Sequence, residues 1–237
     1  MTARRVVGRS IVELEGSEVA ALIAAHRGVL LDLGTGDGKH AATWARARPD
    51  HLVIGVDANV DALRKRSVQM SKPSTKGGLP NLIYLWAAVE RLPASLVEVE
   101  ELHVLMPWGS LLRGLLEPSQ RLLNDLSQRC RAGATFTIVI NRHAWHPVVP
   151  EVAGIAEPRI GDEEAELGAA FDAAGWTLDE VRELGPEDLV KLGTSWTSRL
   201  GSSRTALDAV ALEGTINRSG TVGDLYRRPS ADGPPDS

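Results

Sequence analysis

Residues 29–40 carry the chemistry that stands out first: Val29-Leu30-Leu31-Asp32-Leu33-Gly34-Thr35-Gly36-Asp37-Gly38-Lys39-His40. A short apolar run ends in an acid, and three glycines then alternate with polar residues. Glycine tolerates positive φ and lets a ligand approach the backbone closely. Residues 41–47 have helical character, so the stretch reads as strand, glycine turn, helix, the opening unit of a nucleotide-binding α/β sheet. A second acid supports this reading. Asp57 ends the next apolar run, residues 52–56, and lies 21 residues beyond Gly36, where a carboxylate can accept hydrogen bonds from ribose hydroxyls. A dinucleotide cofactor calls for G-x-G-x-x-G. Here the third glycine, Gly38, arrives one position early, and the spacing disfavours a pyrophosphate.

The second group of chemistry-bearing residues is aromatic. Trp108 follows Met106-Pro107 at the end of the fourth apolar run, and Trp196 sits in Thr194-Ser195-Trp196, in a polar stretch flanked by bases. Two loop tryptophans at the open end of a sheet could sandwich a flipped nucleobase. His143 and His146 have i, i+3 spacing but no cysteine or acid cluster beside them, so they do not compose a metal site. The lone Cys130 falls in a helical stretch and reads as core, and a single cysteine excludes a disulfide framework.

These residues need a scaffold, and the pattern supplies one. Two short strands within residues 4–14, turning at Gly8 to Ser10, suggest a hairpin. A helix over 15–25 leads into the first sheet strand, and a second crossover helix spans 58–70. Residues 71–80 hold two prolines and two glycines and cannot be helix or central strand; they form a loop long for an α/β connection. Further strands are expected at 81–86, 101–106, 135–141, 176–184 and 207–216, with helices at 111–116, 120–130 and 162–174. Residues 185–206 read as a long connection of short turns. The expectation is a doubly wound α/β fold: a seven-stranded, mostly parallel sheet with helices on both faces, and insertions before strands three and seven. Residues 1–216 form one domain in this reading, and 217–237, rich in Gly, Pro, Ser and Asp, a disordered tail.

Bulk properties narrow the class. At 237 residues and 43% hydrophobic content the chain can bury a full core. No apolar run approaches the roughly 18 residues of a membrane span, and the N-terminus lacks a signal-peptide apolar region, so a cytoplasmic location is expected. The net charge is −5, yet residues 145–190 hold twelve acids and two bases, so the remainder is net positive. Arg64, Lys65, Arg66, Lys72 and Lys76 lie between Asp61 and Glu90 without an acid among them; Lys191, Arg199 and Arg204 do the same before Asp208, and Arg4, Arg5 and Arg9 cluster at the N-terminus. Segregation of this kind suggests one basic face, the footprint of a nucleic-acid partner.

The D-x-G-x-G-x-G pattern resembles the first motif of class I S-adenosylmethionine (SAM) methyltransferases, and the strand pattern is similar to their seven-stranded fold. The polar member of the motif that polarises an exocyclic amine in adenine amino-methyltransferases is replaced here by Leu105 or Met106, so the target is not such an amine. A more specific resemblance rests on Asp32 to His40, Lys76-Gly77-Gly78-Leu79-Pro80-Asn81-Leu82, Leu85-Trp86-Ala87, Glu90-Arg91-Leu92-Pro93, residues 102–114 around Met106-Pro107-Trp108-Gly109-Ser110, and Thr194-Ser195-Trp196. On these residues the chain resembles the aminoglycoside-resistance methyltransferases that modify N1 of adenine 1408 in 16S rRNA, nearest to the subgroup from aminoglycoside-producing actinomycetes.

The resemblance covers about residues 4–216 and implies roles. SAM is held by Asp32, Gly34, Thr35, Gly36, Asp37, Asp57, Ala58, Ala88, Val89 and Glu90, with Leu105, Ser110 and Ser195 nearby. Trp108 and Trp196 stack the flipped adenine. Arg4, Arg5, Arg64, Arg66, Lys72, Lys76, Arg199 and Arg204 face RNA. The implied substrate is the assembled 30S subunit, met by a monomer that needs no metal or membrane. An inert RNA-binding module, a methyltransferase for another RNA and a small-molecule methyltransferase of antibiotic biosynthesis are the competing readings.

Overall fold

The computed structural model describes residues 2–117, 120–158, 162–192 and 208–217. The expected tail beyond residue 217, and most of the connection before the last strand, lie outside the described residues. Nine strands form one sheet in the order β2-β1-β5-β4-β3-β6-β7-β9-β8. The five central strands are parallel: β5 (Leu82–Trp86), β4 (Leu52–Asp57), β3 (Val29–Leu33), β6 (Val99–Leu105) and β7 (Cys130–Asn141). Every residue of β3 is buried, as a strand covered on both faces requires. Alternate side chains feed two cores. Leu31, Leu33 and Ile54 point to a layer holding α1 (Gly16–Ala24), α4 (Gly109–Leu116), α5 (Gln120–Ser127) and α6 (Asp162–Asp172). Leu30 and Val53 point to α2 (Lys39–Ala47) and α3 (Val60–Met70) on the other face.

The class I methyltransferase architecture expected from the sequence is present, with corrections at its margins. The hairpin β1 (Ala3–Val7) and β2 (Ser10–Leu14) is part of the sheet: β1 pairs antiparallel with β5, which raises the strand count from the expected seven to nine. β9 (Ala209–Ile216) inserts antiparallel between β7 and β8 (Trp176–Glu183), so the last pair is hairpin-like as expected. The connection between them is not all short turns, because Pro186–Leu192 is a helix, α7. Its first turn carries Glu187 and Asp188, and the Asp188 carboxylate accepts from the Gly185 N–H at 3.2 Å, an N-terminal signal overshadowed by the flanking glycines. α5 stops at Ser127, and Cys130 instead starts β7, buried. The early start is accommodated by a register shift against β6 around Gly133, whose φ is +77°. Within the loop after α3, Ser74–Lys76 forms one 3-10 turn, and the Leu79 N–H closes the loop on the Met70 carbonyl at 3.0 Å.

Candidate functional site

The chain runs from β3 to β4 and β5 on one side, then crosses back to β6 on the other. A crevice must open at the carboxyl ends where this reversal occurs. There the structure has a cleft of about 460 Å³. Twelve of the thirteen residues assigned to the cofactor from sequence line it: Asp32, Gly34, Thr35, Gly36, Asp37, Asp57, Ala58, Ala88, Val89, Glu90, Leu105 and Ser110. The thirteenth, Ser195, lies outside the described residues.

The floor of the cleft is the glycine turn. Gly34, Gly36 and Gly38 have φ of +74°, +60° and +75°, conformations that side chains rarely adopt. Gly34 and Thr35 donate their N–H groups to the Val56 carbonyl at 2.8 and 2.9 Å, which ties the turn to the end of β4. The Thr35 hydroxyl donates to the buried Asp32 carboxylate. Tyr84 packs beneath: its hydroxyl donates to the Gly38 carbonyl at 2.7 Å, and a β-carbon at Gly38 would stand 2.5 Å from its ring. Burial pushes the Tyr84 phenol well above its ordinary value, which keeps it a neutral donor.

Asp57 ends β4 at one wall. One carboxylate oxygen accepts the Gly36 N–H at 2.7 Å and the other accepts the Asn59 N–H at 2.7 Å. Each oxygen has a second acceptor site, so a diol can be held as well. Burial raises the Asp57 pKa above the ordinary carboxylate value, opposed by the two backbone donors. At the other wall, a hydrogen bond from Ser110 holds the Glu90 carboxyl below its ordinary value. The rim is built by the turn after β6. Met106 is buried with φ of +54° and donates its N–H to the Val139 carbonyl at 2.8 Å. A non-glycine residue in that region costs on the order of 1–3 kcal/mol and marks a position the surroundings enforce. Trp108 follows as the N-cap of α4 and is 40% exposed while lining the cleft. It is thus partly exposed at the cleft, unlike the buried Trp176 or Trp44.

The bases divide. Lys72 and Lys76 are exposed on the loop after α3. Arg64 pairs with Asp61 at 2.6 Å, and Arg4 stacks 3.9 Å over the Trp86 ring, whose Nε1 donates to the Ala58 carbonyl beside the cleft. Burial holds the Arg5 pKa below its ordinary value. Arg66, grouped from sequence with the RNA-facing bases, turns inward: Nε donates to the Asp37 carbonyl at 3.0 Å and a terminal nitrogen to its carboxylate at 2.9 Å. The structure therefore joins Arg66 to the glycine turn. Trp196, Arg199 and Arg204 lie outside the described residues. His143 sits in a short 3-10 turn capped by Asn141, and His146 faces Glu157 at 3.4 Å. Sequence reasoning gave no role to the cleft residues Asn59 and Ala62, which carry no motif signal, or to Leu111 and His40, which stand inside motif stretches. The contacts of His40 come from residues far away in sequence.

Comparison with known proteins gives this geometry a family. The model described as NpmA, 16S rRNA (adenine(1408)-N(1))-methyltransferase, matches residues 4–215. A protein of Streptoalloteichus tenebrarius named 16S rRNA (adenine(1408)-N(1))-methyltransferase is 48% identical over 214 residues, covering 90% of this chain and 99% of its own. The crystal structure of the 16S rRNA methyltransferase KamB superposes with a TM-score of 0.85 at 48% identity, over 90% of this chain and 99% of the other. A tryptophan-to-alanine variant of the corresponding enzyme from Catenulisporales acidiphilia, solved with cosubstrate SAM, superposes with a TM-score of 0.82 at 30% identity, over 96% and 99% of the two chains. A family model matched over residues 4–215 and a relative 48% identical over 90% of the chain place it: the chain belongs to the 16S rRNA (adenine(1408)-N(1))-methyltransferase family.

Proposed function

We propose that this chain transfers the methyl group of SAM to N1 of adenine 1408 in 16S rRNA and thereby confers aminoglycoside resistance, acting as a cytoplasmic monomer on the assembled 30S subunit without a metal. Residues 1–216 are read as one methyltransferase domain. Among the described residues no helix is long and apolar enough to cross a membrane. The observation that carries the reading is the exposed Trp108, which lines the same cleft as the glycine turn and Asp57.

SAM is assigned with its ribose on Asp57 and the rest of the cofactor between the glycine turn and the Ala88–Glu90 stretch. The chemistry asks little more of the protein. Adenine N1 has an in-plane lone pair and no proton to lose at neutral pH. It attacks the sulfonium methyl carbon; the new N–C bond forms as the S–C bond breaks, and the positive charge moves from sulfur to the base. No general base is needed, and positioning is the main contribution. An aromatic face against the cationic product contributes about 0.5–2 kcal/mol. Trp108 is assigned one such face and Trp196 the other. N1 lies on the pairing edge, so the base must leave its stack to react. Lys72, Lys76 and the hairpin bases are assigned to RNA phosphates.

The test is direct. Purified 30S subunits are incubated with the protein and SAM, and the modified nucleotide is mapped by reverse-transcription stop. A stop at adenine 1408, with aminoglycoside resistance in a susceptible bacterium expressing the chain, is expected. Absence of any stop on intact subunits would overturn the assignment.

A further inference from the structure

The cofactor cleft is lined in part by a histidine to which the bond-making step assigns no role. His40, in the first turn of α2, has Nδ1 2.7 Å from the Leu192 carbonyl, the last residue of α7. Its Nε2 is 2.9 Å from His103 Nδ1. His103 Nε2 lies 3.2 Å from Glu101, and Glu101 pairs with Arg48 at 2.9 Å. Trp44 stacks on the His103 ring, centroids 3.9 Å apart and planes 11° from parallel.

A carbonyl only accepts, so His40 Nδ1 carries the hydrogen of the contact with Leu192. Burial holds the His40 imidazole below its ordinary value, against the raising pull of Asp32, which favours the neutral ring. His40 is then neutral, with its hydrogen on Nδ1 and its Nε2 accepting from His103.

We propose that His40 is a positioning residue for the methyl transfer: fixed as the Nδ1–H tautomer by His103, it ties the carboxyl end of α7 to the wall of the cofactor cleft. Leu192 lies four residues before Trp196 in the sequence, so the chain leading to Trp196 departs from a point set by the turn that holds SAM. At the far end of the same connection, Arg142 Nε donates to Asp208 at 2.7 Å and a terminal nitrogen reaches Glu183 at 3.0 Å. Of these two contacts, that of His40 lines the cofactor cleft and that of Arg142 does not.

The inference rests on the proposed methyl transfer for its kinetic readout, and a second readout is independent of activity. His40→Ala is expected to lower kcat on 30S subunits at saturating SAM roughly fivefold to tenfold, the range one lost hydrogen bond carries. His40→Asn, whose amide nitrogen falls where Nδ1 was, should recover most of that loss; His40→Gln, which places its amide near Nε2, should not. Ring-nitrogen NMR of the full-length wild-type protein with S-adenosylhomocysteine should show a neutral His40 protonated at Nδ1. A folded His40→Ala variant with wild-type kcat, an Asn variant no better than Ala, or a His40 protonated at Nε2 would each overturn the proposal. If the wild-type protein failed to methylate adenine 1408, the functional reading would fall, and the NMR result would still decide the state of the pair.

Discussion

Asp57 joins the fold and the cleft in one side chain. Its two oxygens stabilise the glycine turn and the start of the next helix by accepting backbone N–H groups, and their remaining lone pairs face the cleft. Asp57→Ala should weaken S-adenosylhomocysteine binding by more than tenfold, because both the diol contact and the turn geometry are lost; calorimetry on a variant with a cooperative melt checks this, and unchanged affinity would count against the ribose assignment. Trp108 makes the opposite case. At 40% exposure it contributes little to the core. Stacking of a base on an aromatic contributes about 1–3 kcal/mol, so Trp108→Ala should cost roughly tenfold to a hundredfold in turnover on 30S subunits with Tm and cofactor affinity preserved. Trp108→Phe should retain more. If the alanine variant instead melted early, Trp108 would be acting as a packing residue.

At the scale of elements, α3 contacts the glycine turn and β6 contacts the start of the helix that follows it. Arg66 from α3 clamps both the backbone and the side chain of Asp37. Arg66→Ala should therefore weaken S-adenosylhomocysteine binding several-fold, an outcome that a purely RNA-facing arginine would not produce; equal calorimetric affinities before and after would return Arg66 to the RNA-facing set. β6 contributes Glu101 and His103, which connect to α2 through Arg48, Trp44 and His40. Because Glu101 titrates below its ordinary value of 4.5 in the folded protein, its pairing stabilises the fold above about that pH. The contribution is lost as pH falls through the lower folded value. The Tm difference between wild type and Glu101→Gln should therefore shrink on acidification below about pH 4.5; a constant difference would show that the ionised carboxylate contributes nothing.

For the whole molecule, charge is segregated along the chain: the acidic stretch 145–190 is distant in sequence from the basic residues around α3, its following loop and the hairpin. Lys72 and Lys76 are exposed on that loop and form no part of the cleft lining. Reversing both to Glu should weaken 30S binding, make its dependence on salt shallower, and leave S-adenosylhomocysteine affinity intact. A filter-binding titration over a range of ionic strengths measures this, and an unchanged slope would identify the loop as merely solvated.

The central strands, the glycine turn and the acid at the end of β4 were legible in the amino-acid order because each is a local pattern. An apolar run sets a buried strand, alternating glycines set a turn with positive φ, and strand length fixes where the acid falls. The place of Trp108 at the cleft was legible for a similar reason, since it follows a strand end directly. What tertiary structure alone decided are contacts between residues far apart in sequence. The hairpin joins the sheet because β5 leaves an edge for β1 to pair with. Arg66 turns inward because α3 packs beside a turn 29 residues earlier in the chain, and His40 meets His103 and Leu192 across separations of 63 and 152 residues. Periodicity and motif spacing describe neighbours along the chain; which partner a buried polar group finds is fixed only when the elements pack, since a donor removed from water takes the acceptor that packing brings within reach.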